Sequence, residues 1–228
     1  MPWSVVRPDL DQTPNANKNI FPVDRWVDVS NGHYGVTSAN IDTPMLQIEA
    51  ITLPRENNGG WLKTAEKGST LYWNCMNNYW HTNYKAYQPG ITSFRYTLLA
   101  HRKYDQAAAQ RFGIGQSQPL IAVPVSAGQP DARLPLVTSN AAVMVTACQP
   151  LVGGHDWLVR FFNGSGNSQK LTLRWKGAKR LSLVRTDMWG NDGKPVASSM
   201  SLAPMEIVTL RIMPVSPATP GSGAPDPR

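Results

Sequence analysis

The chain carries little charge for its size: Asp, Glu, Lys and Arg make up 16% of 228 residues. Strong helix formers such as Glu and Lys are sparse, which weighs against a mainly helical chain. Cysteine is nearly missing. Cys75 and Cys148 are too few for a disulfide framework and do not make a zinc site. They either pair or stay as two buried thiols, and the second is expected because free Cys packs like a small hydrophobe. Long apolar runs are missing too. The longest, Ala141–Cys148, includes a Thr and is too short to cross a membrane. The first seven residues lack a charged segment followed by an apolar one, so no secretory signal is read there.

Recognisable catalytic spacing is also absent. The histidines are His33, His81, His101 and His155, no two of them within five residues, and no carboxylate or thiol stands beside them at ligand spacing. Gly113 and Gly115 follow a helical stretch instead of opening one, so they form no dinucleotide loop. A glycosidase needs two carboxylates across a sugar-sized gap. Asp24, Asp28, Asp42, Asp187, Asp192 and Glu206 fall at strand ends or turns, where Asp serves the backbone. No catalytic pair and no metal ligand is assigned.

Gly 18 and Pro 19, scattered through a chain that is 41% hydrophobic, favour many short strands joined by turns. Trp26–Val29 and Tyr34–Ala39 flank the turn signal Asn31-Gly32 and read as a hairpin. Met45–Thr52, Thr70–Asn74, Thr92–Leu99, Pro119–Val125 and Ala141–Cys148 read as further strands. Tyr104–Phe112 is the one clear helix, with Asp105 as N-cap and Gly113 as its stop. Leu158–Phe162, Lys170–Trp175, Leu181–Arg185 and Glu206–Met213 are four strands at short intervals. The expected fold is mostly β: a large antiparallel sandwich over 1–148, then a smaller C-terminal β domain over 149–214, with one short helix. Residues 215–228, mostly Pro, Gly, Ser and Ala, are expected to be disordered.

The net charge is +7 and uneven. Residues 1–145 carry 12 basic and 10 acidic side chains, residues 146–228 carry 10 and 5. Lys170, Arg174 and Lys176 are spaced through strand-like segments and read as a solvated face. Neither nucleic acid nor a membrane is expected as a partner.

One segment concentrates binding chemistry. Tyr79, Trp80 and Tyr84 surround His81, Thr82 and Asn83. Aromatic faces stack on the apolar faces of sugar rings, while Asn and His bond hydroxyls. The alternative is that Trp80 and Tyr84 are core, with Thr82 and Asn83 shaping a turn. Trp157, Trp175 and Trp189 are a weaker candidate for a sugar-stacking strip, and Asn163-Gly164-Ser165 fits a glycosylation sequon, although Asn-Gly is a turn signal first.

The run Asn77 to Tyr84, then Gln88-Pro89-Gly90, Phe94-Arg95-Tyr96 and His101, resembles a segment in the C-terminal region of family 38 glycoside hydrolases, the α-mannosidase family. Trp26 to Asn31, Tyr34-Gly35-Val36 and Asp42-Thr43-Pro44 look like an earlier stretch of that region. Leu158 to Asn163 and Leu202 to Leu210 resemble its closing β domain. The resemblance implies a much longer whole enzyme: a barrel-like catalytic domain, a helical bundle and β-sandwich domains, with a retaining two-carboxylate mechanism and zinc on the sugar hydroxyls. The zinc ligands and catalytic Asp pair of the family lie in the part that nothing here matches. It follows that this chain holds no cofactor and zinc is expected in the missing catalytic domain. The expected partners are that domain, on the same or a separate chain, and a mannoside substrate. Trp80, His81, Asn83 and Tyr84 are then expected to line the cleft or brace the catalytic domain, and an apolar face should lie uncovered on the isolated chain. The competing functions are a free-standing carbohydrate-binding module and a purely structural β domain.

Overall fold

The computed structural model describes residues 3–52, 61–76, 83, 85, 87–118, 120–124, 126, 135–153, 155–191 and 193–215. The chain divides into two compact units, Met1–Ile121 and Ala122–Arg228. Both are dominated by antiparallel strands, with one helix among the described residues. No described helix is long and apolar enough to cross a membrane.

The first unit contains β1 (Phe21–Pro22), β2 (Trp26–Ser30), β3 (Gly35–Asn40), β4 (Met45–Ile48), β5 (Leu71–Trp73), β6 (Tyr96–His101) and α1 (Gln106–Ser117). Two three-stranded sheets form, in the orders β1-β4-β5 and β2-β3-β6. The β2–β3 hairpin turns where expected. The Asn31 side chain accepts hydrogen bonds from the backbone N–H groups of His33 and Tyr34, at 2.8 and 2.9 Å, which closes the turn. Strand β4 ends at Ile48, short of Thr52, because Glu49 takes a left-handed φ of 60°. The sixth strand starts at Tyr96, later than Thr92.

Helix α1 begins as read, with the Asp105 carboxylate accepting from the Ala108 N–H at 3.1 Å. It does not stop at Gly113 but runs on to Ser117. Gly113 has a different purpose. A Cβ there would stand 2.6 Å from Trp26 Cδ1, so the glycine lets the helix lie against β2.

The second unit contains β7 (Leu136–Thr138), β8 (Val143–Pro150), β9 (Trp157–Asn163), β10 (Gln169–Trp175), β11 (Arg180–Thr186), β12 (Gly193–Val196), β13 (Ser199–Leu202) and β14 (Ile207–Val215). A five-stranded sheet, β12-β11-β14-β9-β8, faces a three-stranded one, β13-β10-β7. The core lies between them. Val143, Val159, Phe161, Leu183, Val208, Leu210 and Ile212 come from the first sheet, and Leu171, Leu173 and Leu202 from the second. Alternation does this: Leu171 and Leu173 point inward while Lys170 and Arg174 are exposed, as the solvated-face reading requires. Each fully buried side chain of this size stabilises the fold by about 1.5–3 kcal/mol.

The division between units lies at Ile121/Ala122, whereas the sequence suggested Pro150. Strand β8 accounts for the difference. It pairs with β9 from Val143↔Asn163 to Pro150↔Trp157, so it belongs to the second sandwich. Among residues 119–125, those that are described form no strand. The tail expected to be disordered lies outside the described residues from 216 onward.

Candidate functional site

Of the four residues singled out for sugar contact, Trp80, His81 and Tyr84 lie outside the described residues. Asn83 is described and is exposed at a bend. What the structure does show is the pair of feet on which the segment stands. In sequence the segment lies between β5, which ends at Trp73, and β6, which starts at Tyr96.

Three contacts fasten these feet. The Trp73 and Tyr96 rings sit 6.1 Å apart at 41°, a tilted aromatic pair. Cys75 Sγ lies 3.0 Å from the Tyr96 hydroxyl, and Thr43 Oγ1 stands 3.4 Å from the same hydroxyl. Asp42 holds Arg95 in a fork: Nε and Nη2 donate to its two carboxylate oxygens at 3.0 and 2.8 Å, and the Arg95 backbone N–H adds a third bond at 2.8 Å.

Local sequence builds the acceptor side. Asn40 Oδ1 accepts from Thr43 N and Oγ1, at 2.8 and 2.6 Å, folding the Asn40–Thr43 turn that presents Asp42. The side-chain and backbone donors of Arg95 hold the Asp42 carboxyl below the usual range. Burial pushes the Tyr96 phenol up, and its bond to Cys75 adds to that. In the sequence Asp42 was noted as a turn or strand-end carboxylate, and both Asp42 and Arg95 as parts of family-like runs. Their pairing spans 53 residues, and nothing in local spacing signals it.

A second polar cluster crosses the β2-β3-β6 sheet. His101 Nε2 donates to Asp28 Oδ2 at 2.7 Å, and Thr37 Oγ1 donates to the same oxygen at 2.6 Å. His101 Nδ1 stands 3.2 Å from the Arg102 carbonyl. His101 is in register with Gly35, which is in register with Ser30. A Cβ at Gly35 would come within 2.7 Å of the imidazole, so the missing side chain leaves the ring room to reach Asp28.

The other carboxylates considered are also engaged. Asp24 pairs with Arg25 at 3.2 Å and Glu206 with Arg185 at 2.7 Å. Asp187 accepts from the N–H groups of Trp189 and Asn191, each at 2.9 Å. Asp192 lies outside the described residues. Among the described residues no three of His, Cys, Asp and Glu come together to hold a metal ion.

The lesser candidates resolve differently. Trp157 and Trp175 pack on each other, 5.5 Å apart, against the core of the second unit, while Trp189 is 76% exposed on the β11–β12 turn. They do not share one stacking surface. Asn163 of the sequon is fully buried: its Nδ2 donates to the carbonyls of Asn167, Leu202 and Ala203 at 2.8, 3.3 and 2.7 Å. Its Oδ1 accepts from Ser165 N and Oγ. The amide is structural. Both cysteines are free, but only Cys148 is partly buried, and burial raises its thiol. Cys75 is exposed, against expectation.

Comparison with known proteins agrees with this architecture. The chain is similar in fold to an alpha-mannosidase from Enterococcus faecalis V583, with TM-score 0.58 and 19% identity, over 92% of this chain and 23% of that one. It is similar also to a protein in the Glycosyl Hydrolase Family 38 from Enterococcus faecalis, with TM-score 0.56 and 19% identity, over 85% of this chain and 22% of that one. The chain thus spans about a quarter of the length of the solved structures it matches. No curated protein matches it. Residues 142–210 match the model of the glycosyl hydrolases family 38 C-terminal beta sandwich domain, which covers the second unit from β8 into the first half of β14. Over residues 142–210 the second unit is thus similar to the C-terminal beta sandwich domain of glycosyl hydrolase family 38.

Proposed function

We propose that the chain serves as the non-catalytic C-terminal portion of an α-mannosidase-like glycoside hydrolase. The activity of the whole, retaining and zinc-dependent hydrolysis of α-mannosidic bonds, resides in polypeptide outside this chain. One observation carries the reading: 92% of the chain, both β units in order, follows a fold that makes up 23% of an alpha-mannosidase.

In this reading Trp80, His81, Asn83 and Tyr84 line the substrate cleft or brace the catalytic domain. The feet of their segment are clamped by the Asp42–Arg95 fork and the Trp73–Tyr96 pair, which suits a loop that must hold a set position. Asn83 offers an amide to a hydroxyl from an exposed bend.

The test is hydrolysis of an aryl α-mannoside in the presence of zinc. The chain alone is expected to give no turnover, and the longer product of its genomic region to give turnover that falls at least 10-fold on His81→Ala or Asn83→Ala. Turnover by the chain alone overturns the reading. An unchanged rate in both loop variants removes the loop from the site. A free-standing sugar-binding role is the second reading, favoured by the exposure of Trp189. Titration of the chain alone with mannosides, and its loss on Trp189→Ala, decides it.

A further inference from the structure

We infer that strand β6, with the apolar sheet face around it, is a docking edge that takes up a strand from the catalytic-domain polypeptide of a family 38 hydrolase. The inference rests on the reading above and names the surface that reading needs.

The first sign is an imbalance between the units. Among the described residues, the apolar side chains fully buried in the first unit are Leu46 and four alanines, Ala39, Ala65, Ala107 and Ala109. The second unit buries Val159, Phe161, Phe162, Leu171, Leu210 and Ile212 among others. Stability comes mainly from apolar area removed from water. The first unit has assembled sheets and buries several polar side chains, Thr37, Ser38, Asn40 and Gln47 among them, but among the described residues it buries little large apolar surface.

The second sign is where its apolar surface lies. Helix α1 packs on one face of the β2-β3-β6 sheet, through Gly113 against Trp26. On the opposite face Val29, Val36 and Ala100 stand in one row, and Val27, Ser38 and Leu98 in the next. Leu98 is 69% exposed and Val36 40% exposed. An antiparallel sheet with one solvated face alternates apolar and polar residues. On this face Val36, Leu98 and Ala100 are turned to water while Val27 and Val29 are half-buried and Ser38 is buried, as in a sheet whose second layer is only partly in place.

The third sign is the edge itself. Strand β6 reads Tyr-Thr-Leu-Leu-Ala-His and pairs with β3 in unbroken register from Tyr96↔Asn40 to His101↔Gly35. Among the described residues no strand pairs with its other side. Free edges are normally blunted by Lys, Pro or a bulge. Here there is none of these, and Leu98 and Leu99 expose apolar surface on both faces of the strand. Such an edge recruits a strand through its backbone donors and acceptors.

The occupant follows from what must be satisfied together. A second copy joined edge to edge would lengthen the sheet and leave the Val36–Leu98 face in water. A longer polypeptide can add a strand at the edge and a layer on the face. The alpha-mannosidase that shares this fold has such a polypeptide, since this chain corresponds to only 23% of it.

The experiment co-expresses the full chain with the family 38 catalytic polypeptide of the same genome. Complex formation is read by size-exclusion chromatography and amide hydrogen exchange. A 1:1 complex is expected, in which the β6 amides slow at least 10-fold and which Leu98→Lys or Val36→Lys weakens at least 10-fold. Both positions are exposed, so the variants keep the fold of the chain alone, which circular dichroism checks. A complex that leaves β6 unprotected and tolerates both variants overturns the docking surface while the functional reading stands. No complex, or no such polypeptide in the genome, overturns both. A homodimer abolished by Leu98→Lys, with no hydrolase bound, overturns the inference and makes a second copy the occupant.

Discussion

At the scale of single residues, the polar groups that matter are those whose partners lie far off in sequence. Asn163 shows this best. The sequence marks it twice, as a turn signal and as a glycosylation acceptor. Its amide is instead the hub that ties the β9–β10 connection to the carbonyls of Leu202 and Ala203. Replacing it with alanine strands those carbonyls and the Ser165 donors in a site with no access to water. Loss of a buried network of this kind costs about 3–5 kcal/mol. Urea denaturation of Asn163→Ala, followed by tryptophan fluorescence, is expected to show that loss. Expression in a glycosylating host is expected to leave Asn163 bare, and intact mass measures it.

Tyr104 gives the pH prediction. Burial, reinforced by the negative charges of Asp28 and Asp105, pushes its phenol up to about 12 from the ordinary 10. The sign follows from linkage. Between those two values the unfolded chain releases the proton and the folded chain keeps it, so the unfolded state binds fewer protons. Stability therefore falls as pH rises from about 10 toward 12 and is unaffected below. Absorbance of the phenolate at alkaline pH, compared between the parent and Tyr104→Phe, is expected to show one late-titrating tyrosine. The alkaline loss of stability should be smaller in Tyr104→Phe.

At the scale of elements, the longer strands of the second unit were legible and the shortest were not. Trp157–Asn163, an apolar run buried along most of its length, and Gln169–Trp175, which alternates buried with more exposed residues, were found within a residue of their ends. Leu136–Thr138, Gly193–Val196 and Ser199–Leu202 were missed. Each has three or four residues, and their strand character comes from pairing with β10 or β11, which no local pattern reports. The helix was legible at its start and not at its end, because Gly is read as a stop when it also serves close packing. The two helical glycines separate these effects. Alanine at Gly115 meets nothing within 4 Å, so Gly115→Ala is expected to stabilise by about 0.5–1 kcal/mol through helix propensity. Alanine at Gly113 gains the same propensity but meets Trp26 at 2.6 Å and Arg25 at 3.2 Å. Overpacking of about 1–3 kcal/mol outweighs the gain, so Gly113→Ala is expected to destabilise. Paired thermal melts by circular dichroism check both signs. Similar shifts in the two variants would mean that the helix does not rest on Trp26 through Gly113.

At the scale of the whole molecule, the candidate site was legible as composition and illegible as geometry. A cluster of aromatics, imidazole and amide announces itself in any reading of the chain, but the Asp42–Arg95 fork that fastens the segment joins residues 53 apart. The same limit applied to the division of the chain, since Val143–Pro150 resembles a closing strand of the first unit until its register with β9 is known. Once the units are drawn correctly, their cores differ enough to set an order of unfolding. The second has ten side chains from both sheets in one buried cluster, while the first buries Leu46 and alanines. Burial on that scale gives the second unit most of the driving force for folding, and the two units lack a reason to melt as one. Urea unfolding of the full chain is therefore expected to be biphasic. The earlier transition belongs to the first unit and is reported by hydrogen exchange of the β2-β3-β6 amides. The later one belongs to the second, reported by the Trp157–Trp175 pair and abolished as a separate step by Asn163→Ala. If the first unit has a matching core of its own, the transitions coincide at one midpoint. If its core is supplied by a partner strand at β6, binding that partner moves the first transition up and leaves the second where it was.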